Sequence, residues 1–232
     1  MIIGSGLLAN AFANMQHDPD LAIFASGVSN SQETRAAEFA RERALLVHAL
    51  QSAPRLVYFS SCGVAEDAGP ATAYMRHKRE METLVASGSP RNLVLRLPQV
   101  VGRTTNPHTL TNFLRDRIVS GTPFAIWAHA ERNLVDIDDV AAIASRLLAA
   151  DADVPTVAAV AADRSLPMQE LVEIFERVLG IKSLHVLEQK GSPMKIHPRL
   201  PKHLIDGLGI DLGQGYAERI LRKYYGTAAD AA

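Results

Sequence analysis

Met1-Ile2-Ile3 runs directly into Gly4-Ser5-Gly6-Leu7-Leu8-Ala9, a G-x-G-x-x-A spacing. No other segment constrains the fold as much, because this one asks for a strand, a glycine turn and a helix in immediate succession. Gly4 permits the tight turn and Gly6 lets backbone approach a pyrophosphate. Ala9 permits close helix–strand packing, and the helix that follows offers its first amides to phosphate oxygens. The same letters also suit an ordinary strand–turn–helix, so their meaning depends on what comes after them.

What comes after is a regular alternation of strand-like and helix-like segments, which calls for a parallel sheet covered by helices. Strands are expected at residues 1–3, 21–25, 56–59, 93–97, 124–127 and 154–161. Helices are expected at 6–15, 72–86, 110–120, 139–150, 168–179 and 216–225. A further helix runs to about Leu50, started by an Asn30/Glu33 capping box and carrying Phe39, Leu46 and Leu50 as its apolar stripe. The last seventy or so residues read as mainly helical, interrupted by Pro193, Pro198 and Pro201. The Ala-rich tail reads as frayed.

Tyr74 and Lys78 lie one helical turn apart in Tyr74-Met75-Arg76-His77-Lys78, so both side chains share a face. An ammonium beside a phenol favours the phenolate and lowers its pKa. Such a phenol can exchange a proton with a substrate hydroxyl. Ser60 and Ser61 end the preceding strand and can hold the same oxygen. Alone, Tyr-x-x-x-Lys recurs by chance in helical sequence. By spacing, His77 faces away from the pair and reads as a surface or packing residue.

Four features stand in order: Ser60-Ser61, Tyr74-x-x-x-Lys78, Leu95-Arg96-Leu97-Pro98, and Arg132-Asn133-Leu134-Val135-Asp136-Ile137-Asp138-Asp139-Val140. Together with the glycine segment, this set resembles the extended short-chain dehydrogenase/reductases, in particular the NAD-dependent epimerase/dehydratase family acting on nucleotide sugars. The resemblance runs roughly from Ile2 to Tyr225. It implies a reduced Rossmann-type α/β fold of about five main parallel strands flanked by helices, with a small, mainly helical C-terminal substrate lobe. Residues 1–165 would form the NAD(P)-binding part, with 104–135 contributing to the lobe, and 166–232 the rest of the lobe. The cleft would lie at the carboxyl ends of the strands.

Residue by residue, the resemblance makes Tyr74 the general acid/base, Lys78 its tuning partner and a ligand of the nicotinamide ribose, and Ser61 the catalytic hydroxyl, with Ser60 as the fallback register. Gly4, Ser5, Gly6, Leu7, Leu8, Ala25, Ser26 and Pro98, with Tyr74 and Lys78, would line NAD or NADP. Ser61, Cys62, Gln99 and Arg132 would face the nucleotide sugar, with Arg132 on its diphosphate, where a planar guanidinium fork suits phosphate. Ser-Ser-Cys matches the GDP-fucose synthases in letters, where the cysteine is an acid/base, but free cysteine is commonly a small buried hydrophobe. Asp138 or Asp139 is expected to cap a helix. Cys62-Gly63 stands where 4,6-dehydratases carry an Asp-Glu pair, which argues against that dehydration.

One departure is large. Leu21-Ala22-Ile23-Phe24-Ala25-Ser26 matches the family's fourth strand, so the two adenosine-side strand–helix units are missing. No residue is left to read the adenosine ribose, and NAD against NADP stays open. The fingerprint strand would then lie at a sheet edge, and a second copy of the chain in a homodimer is one way to cover it. The reading is an epimerase or keto-reductase in a pathway to surface polysaccharide. Its rival is a non-catalytic dinucleotide- or nucleotide-sugar-binding regulator.

Composition sets outer bounds. The chain has 232 residues, 47% apolar and 21% charged, which suits a globular enzyme. A net charge of −1 supplies no field toward nucleic acid or anionic membrane. The single cysteine suits a reducing cytoplasm. No apolar run approaches a membrane span, no signal peptide is expected, and no cluster has metal-ligand spacing.

Overall fold

The computed structural model describes residues 1–65, 71–150 and 154–226. In chain order the elements are β1 (Ile2–Ile3), α1 (Leu7–Ala11), β2 (Leu21–Phe24), α2 (Ala36–Ser52), β3 (Arg55–Ser61), α3 (Ala73–Gly88), β4 (Leu93–Leu97), β5 (Gln99–Val101), α4 (Leu110–Ser120), β6 (Phe124–Trp127), β7 (Glu131–Arg132), β8 (Leu134–Asp136), α5 (Ile137–Ala149), β9 (Val157–Ala159), β10 (Leu166–Pro167), α6 (Met168–Leu179), β11 (His185–Glu188) and α7 (Tyr216–Tyr225). They group into two compact units. One holds Met1–Leu97, Ile137–Val160 and Ile196–Leu208; the other holds Pro98–Asp136, Ala161–Lys195 and Gly209–Ala232. The Ala-rich tail beyond residue 226 and residues 66–70 of the segment before Tyr74 lie outside the described residues.

The first unit is built on one parallel sheet of order β1-β2-β3-β4-β9. Its strands are near-continuous apolar runs because both faces are covered. All four residues of β2 are buried, as are Leu56 to Ser60 of β3. One face packs Phe24, Leu56, Tyr58 and Val94 against Leu46 of α2 and Met81 and Val85 of α3. The glycine-segment strand β1 lies at the sheet edge, as expected from the sequence. At the start of β3, the Arg55 guanidinium donates to the carbonyls of Leu147 and Leu148, satisfying the last turn of α5.

The second unit combines the helices α4, α6 and α7 with short strands. It contains three two-stranded sheets, with β11 parallel to β6, β5 parallel to β8 and β10 antiparallel to β7. Strands of two to four residues are too short to show a period of two, which is why sequence reading passed over most of them. α4, α6 and α7 close over a core that includes Leu114, Ile118, Val172, Phe175 and Leu221. Asp136 anchors α7, accepting from Lys223 Nζ at 2.7 Å and Tyr224 OH at 2.7 Å. Asn133 is fully buried. Its Nδ2 donates to Ala162 O at 3.0 Å and Arg164 O at 3.2 Å, and its Oδ1 accepts from Ala162 N–H at 2.9 Å.

Two expected helix starts are corrected. α2 begins at Ala36, not at Asn30. The Glu33 carboxylate turns forward to the amides of Thr34 and Arg35, at 2.9 Å each, and makes a turn in place of a capping box. α5 begins at Ile137, so Asp138 and Asp139 sit inside its first turn, where their charge complements the helix dipole. Among the described residues no helix is long and apolar enough to cross a membrane.

Replacing Asn133 with Ala removes these bonds and strands buried backbone groups. The expected loss is about 2–3 kcal/mol of stability, read as a lower urea midpoint with an unchanged slope. A variant with the wild-type midpoint contradicts the assignment.

Candidate active site

Thr72 starts α3 as its N-cap, with Oγ1 accepting from Met75 N–H at 3.1 Å. This sets the helix register, so Tyr74, His77 and Lys78 all fall on its buried face, at 7%, 6% and 2% exposure. Ser61 ends β3 and is half-buried, its Oγ accepting from Gly63 N–H at 3.1 Å. The Ser61 side chain lies beside the Tyr74 phenol and acts to lower its pKa. The Ser60 hydroxyl is buried without a hydrogen-bond partner, so Ser61 is the one of the two that meets the tyrosine.

The expected tuning of Tyr74 by Lys78 is not what the geometry shows. Lys78 Nζ lies 5.8 Å from the centre of the Tyr74 ring. It donates instead to Glu42 Oε1 at 2.9 Å and to the Tyr58 oxygen at 3.0 Å. Burial pushes the Tyr74 phenol up to about 12; the Ser61 side chain works against this and the Glu42 charge works with it. Burial also lowers the Lys78 pKa, and Glu42 opposes that shift. The expectation of a lowered phenol is therefore corrected for the free protein: Glu42 compensates the lysine's charge.

Glu42 was missed by the motif reading. It has no exposed surface, and donors surround it: Lys78, Tyr58 OH at 2.6 Å to Oε1, and Val28 N–H at 2.6 Å to Oε2. His77 Nε2 is 3.0 Å from Oε2, and the His77 ring stacks on Phe39 at 4.6 Å. His77 is thus a buried network residue, not a surface one. Despite the cost of burial, these partners hold the Glu42 carboxyl below the ordinary range. A signal was present in the sequence: Glu42 falls between Phe39 and Leu46, on the core-facing stripe of α2.

Cys62 has no exposure, its Sγ is 3.5 Å from Arg96 O, and burial pushes its thiol up to about 12. These are the surroundings of a small buried hydrophobe, not of an acid/base.

At the edge of the sheet, Gly4, Ser5 and Gly6 are exposed and Leu7 and Leu8 half-buried. Gly4 has φ +130°, and a Cβ there would lie 2.5 Å from Ala25 O, so only glycine lets this turn close onto the end of β2. A Cβ at Gly6 would meet nothing within 4 Å, so its backbone faces open space. Ala25 N–H continues the pairing by donating to Ile3 O at 2.8 Å, and Arg41 reaches Ser26 Oγ at 3.3 Å. α1 has only five residues. The open backbone at Gly6, beside a turn only glycine can make, fits a dinucleotide's phosphates.

In the second unit Pro98 follows β4 directly and Gln99 opens β5. Arg132 lines a pocket of about 140 Å³ with Leu110, Phe113, Ile126, Trp127 and Met168. Among the described residues no group of three or more His, Cys, Asp or Glu is placed to hold a metal.

The model of the NAD dependent epimerase/dehydratase family matches residues 9–161, more than half of the chain. The chain belongs to this family. Among curated protein sequences none matches it. Solved structures share the family fold at low identity. The UDP-glucose 4-epimerase of Thermus thermophilus, in complex with NAD, is 16% identical with a TM-score of 0.67, covering 93% of this chain and 79% of its own. MoeE5 with UDP-glucuronic acid and NAD gives 17%, 0.69, 94% and 82%. RMD of Pseudomonas aeruginosa with NADPH gives 18%, 0.68, 95% and 86%. Within this family the chain has a parallel sheet whose glycine-segment strand β1 forms the edge.

In the free protein the Tyr74 phenol is expected to remain protonated at pH 10, where an ordinary tyrosine is half ionised. The ¹³Cζ resonance of Tyr74, assigned by its loss in Tyr74→Phe, reports this. A midpoint at or below 10 contradicts the burial argument.

Proposed function

We propose that the chain is an NAD(P)-dependent epimerase or keto-reductase of a nucleotide sugar, serving a cytoplasmic pathway to surface polysaccharide. The observation that carries this reading is Tyr74 beside the strand-end Ser61, with Lys78 one turn further along the same buried face of α3. Family membership and neighbours solved with NAD, NADPH and UDP-sugars support it.

In this reading Gly4, Ser5, Gly6, Leu7, Leu8, Ala25, Ser26 and Pro98 hold the coenzyme, and Lys78 serves its nicotinamide ribose. The bound coenzyme supplies hydride transfer. Tyr74 moves the proton at the reacting oxygen, and Ser61 holds that oxygen. A phenol near 12 keeps its proton at neutral pH. That suits it to give a proton to a carbonyl oxygen as that carbon is reduced, the direction of a keto-reductase. The reverse step, which an epimerase also needs, asks for a lower pKa in the loaded state. In the second unit the pocket beside Arg132 is apolar and aromatic, with Phe113 and Trp127, and suits a planar base. Arg132 and Gln99 provide a guanidinium and an amide for the diphosphate.

The test is turnover with UDP-, GDP- and dTDP-sugars, normal and 4-keto, in the presence of NAD or NADPH. Tyr74→Phe is expected to lower kcat by about 10²–10⁴. Net consumption of NADPH marks a reductase, and inversion without net consumption marks an epimerase. Full turnover by Tyr74→Phe on a proven substrate contradicts the reading.

A further inference from the structure

The Glu42 network is absorbed by no motif, yet it is the most buried charged group near Tyr74. Its carboxylate comes from α2, the Tyr58 hydroxyl from β3 and the Lys78 ammonium from α3. Tyr58 OH donates to Glu42 Oε1 and accepts from Lys78 Nζ, which also donates to Oε1, so the three groups close a ring. An ammonium has three donors, and this ring uses two. The space above is fitted to the pair: a Cβ on Gly27 would lie 2.7 Å from Lys78 Nζ and 3.0 Å from Glu42 Oε1. A lysine buried to this degree loses its proton unless a counter-charge is in contact with it. Glu42 is that contact; Glu82 acts on Lys78 only at longer range, and Tyr58, Tyr74 and His77 are the other titratable groups facing the pair.

We propose that Glu42 is a positioning residue for the reaction, acting through Lys78: its carboxylate keeps the ammonium charged and fixes which N–H is left for the coenzyme ribose. The role rests on the function proposed above, in which Lys78 serves that ribose. Glu42 touches neither reacting atom, so its effect should appear in coenzyme affinity and vanish when Lys78 is absent. A purely packing role would act in both backgrounds alike.

The experiment is NADH and NADPH titration of the full chain by fluorescence, for wild type, Glu42→Gln, Glu42→Asp, Lys78→Met and the Glu42→Gln/Lys78→Met double variant, with near-UV circular dichroism as the check of fold. Glu42→Gln is expected to bind about 10-fold or more weakly, the scale of one hydrogen bond to a charged group. Glu42→Asp, which retains the charge on a shorter arm, should fall between it and wild type. In the Lys78→Met background the Glu42→Gln change should cost nothing further. Wild-type affinity in Glu42→Gln, or an equal loss in both backgrounds, overturns the role of Glu42 and leaves the proposed function standing. If Glu42→Gln does not fold, Glu42→Asp decides, and unchanged affinity there overturns the role. Failure of the wild-type protein to bind either dinucleotide overturns both.

Discussion

A carboxylate with no exposed surface must find its compensation inside the protein, and Glu42 finds it by tying α2 to β3 and α3. Breaking a buried pair of this kind by removing one partner typically costs about 3–5 kcal/mol. The pair thus constrains the same helix that presents Tyr74. One consequence is electrostatic: with Lys78 compensated by Glu42, the phenol keeps the raised pKa that burial imposes. Another is steric, because the loop after β2 must pass over the pair with no side chain at Gly27. Local sequence at 27, 42, 58 and 78 therefore answers to one contact.

The sheet is the second constraint. Order β1-β2-β3-β4-β9 places the glycine-segment strand at an edge. Its two residues pair with Ile23 and Phe24, and Gly4 then turns tightly onto Ala25. On this side the chain presents backbone: an exposed Gly4-Ser5-Gly6 turn with open space at Gly6. Backbone amides bind phosphate irrespective of the nucleoside, so the coenzyme site proposed at this turn needs no ribose-reading residue to hold a pyrophosphate.

Much of this was legible in the sequence because it depends on short-range pattern. The strand–glycine–helix order, the alternation that makes a parallel sheet and the one-turn spacing of Tyr74 and Lys78 all follow from local periodicity. The position of β1 at the edge followed from the resemblance of residues 21–26 to the family's fourth strand. What could not be read depends on contacts distant in sequence. Glu42 and Lys78 are 36 residues apart, and nothing in Tyr-x-x-x-Lys says whether the ammonium faces the phenol or a carboxylate. The Asn30/Glu33 pattern has the letters of a capping box, but Glu33 spends its carboxylate on the two amides beside it. β7, β8, β10 and β11 are set by pairing partners, not by their own two to four residues.

The central claim is that a dinucleotide coenzyme works against Tyr74 in this reduced sheet. A crystal structure of the full chain grown with NADH tests it most directly. The account predicts pyrophosphate density on the Gly4–Leu8 turn and the nicotinamide ribose within hydrogen-bonding distance of Tyr74 and Lys78. A dinucleotide lying elsewhere, or Lys78 still closed onto Glu42 and Tyr58 with the nicotinamide end out of its reach, contradicts it.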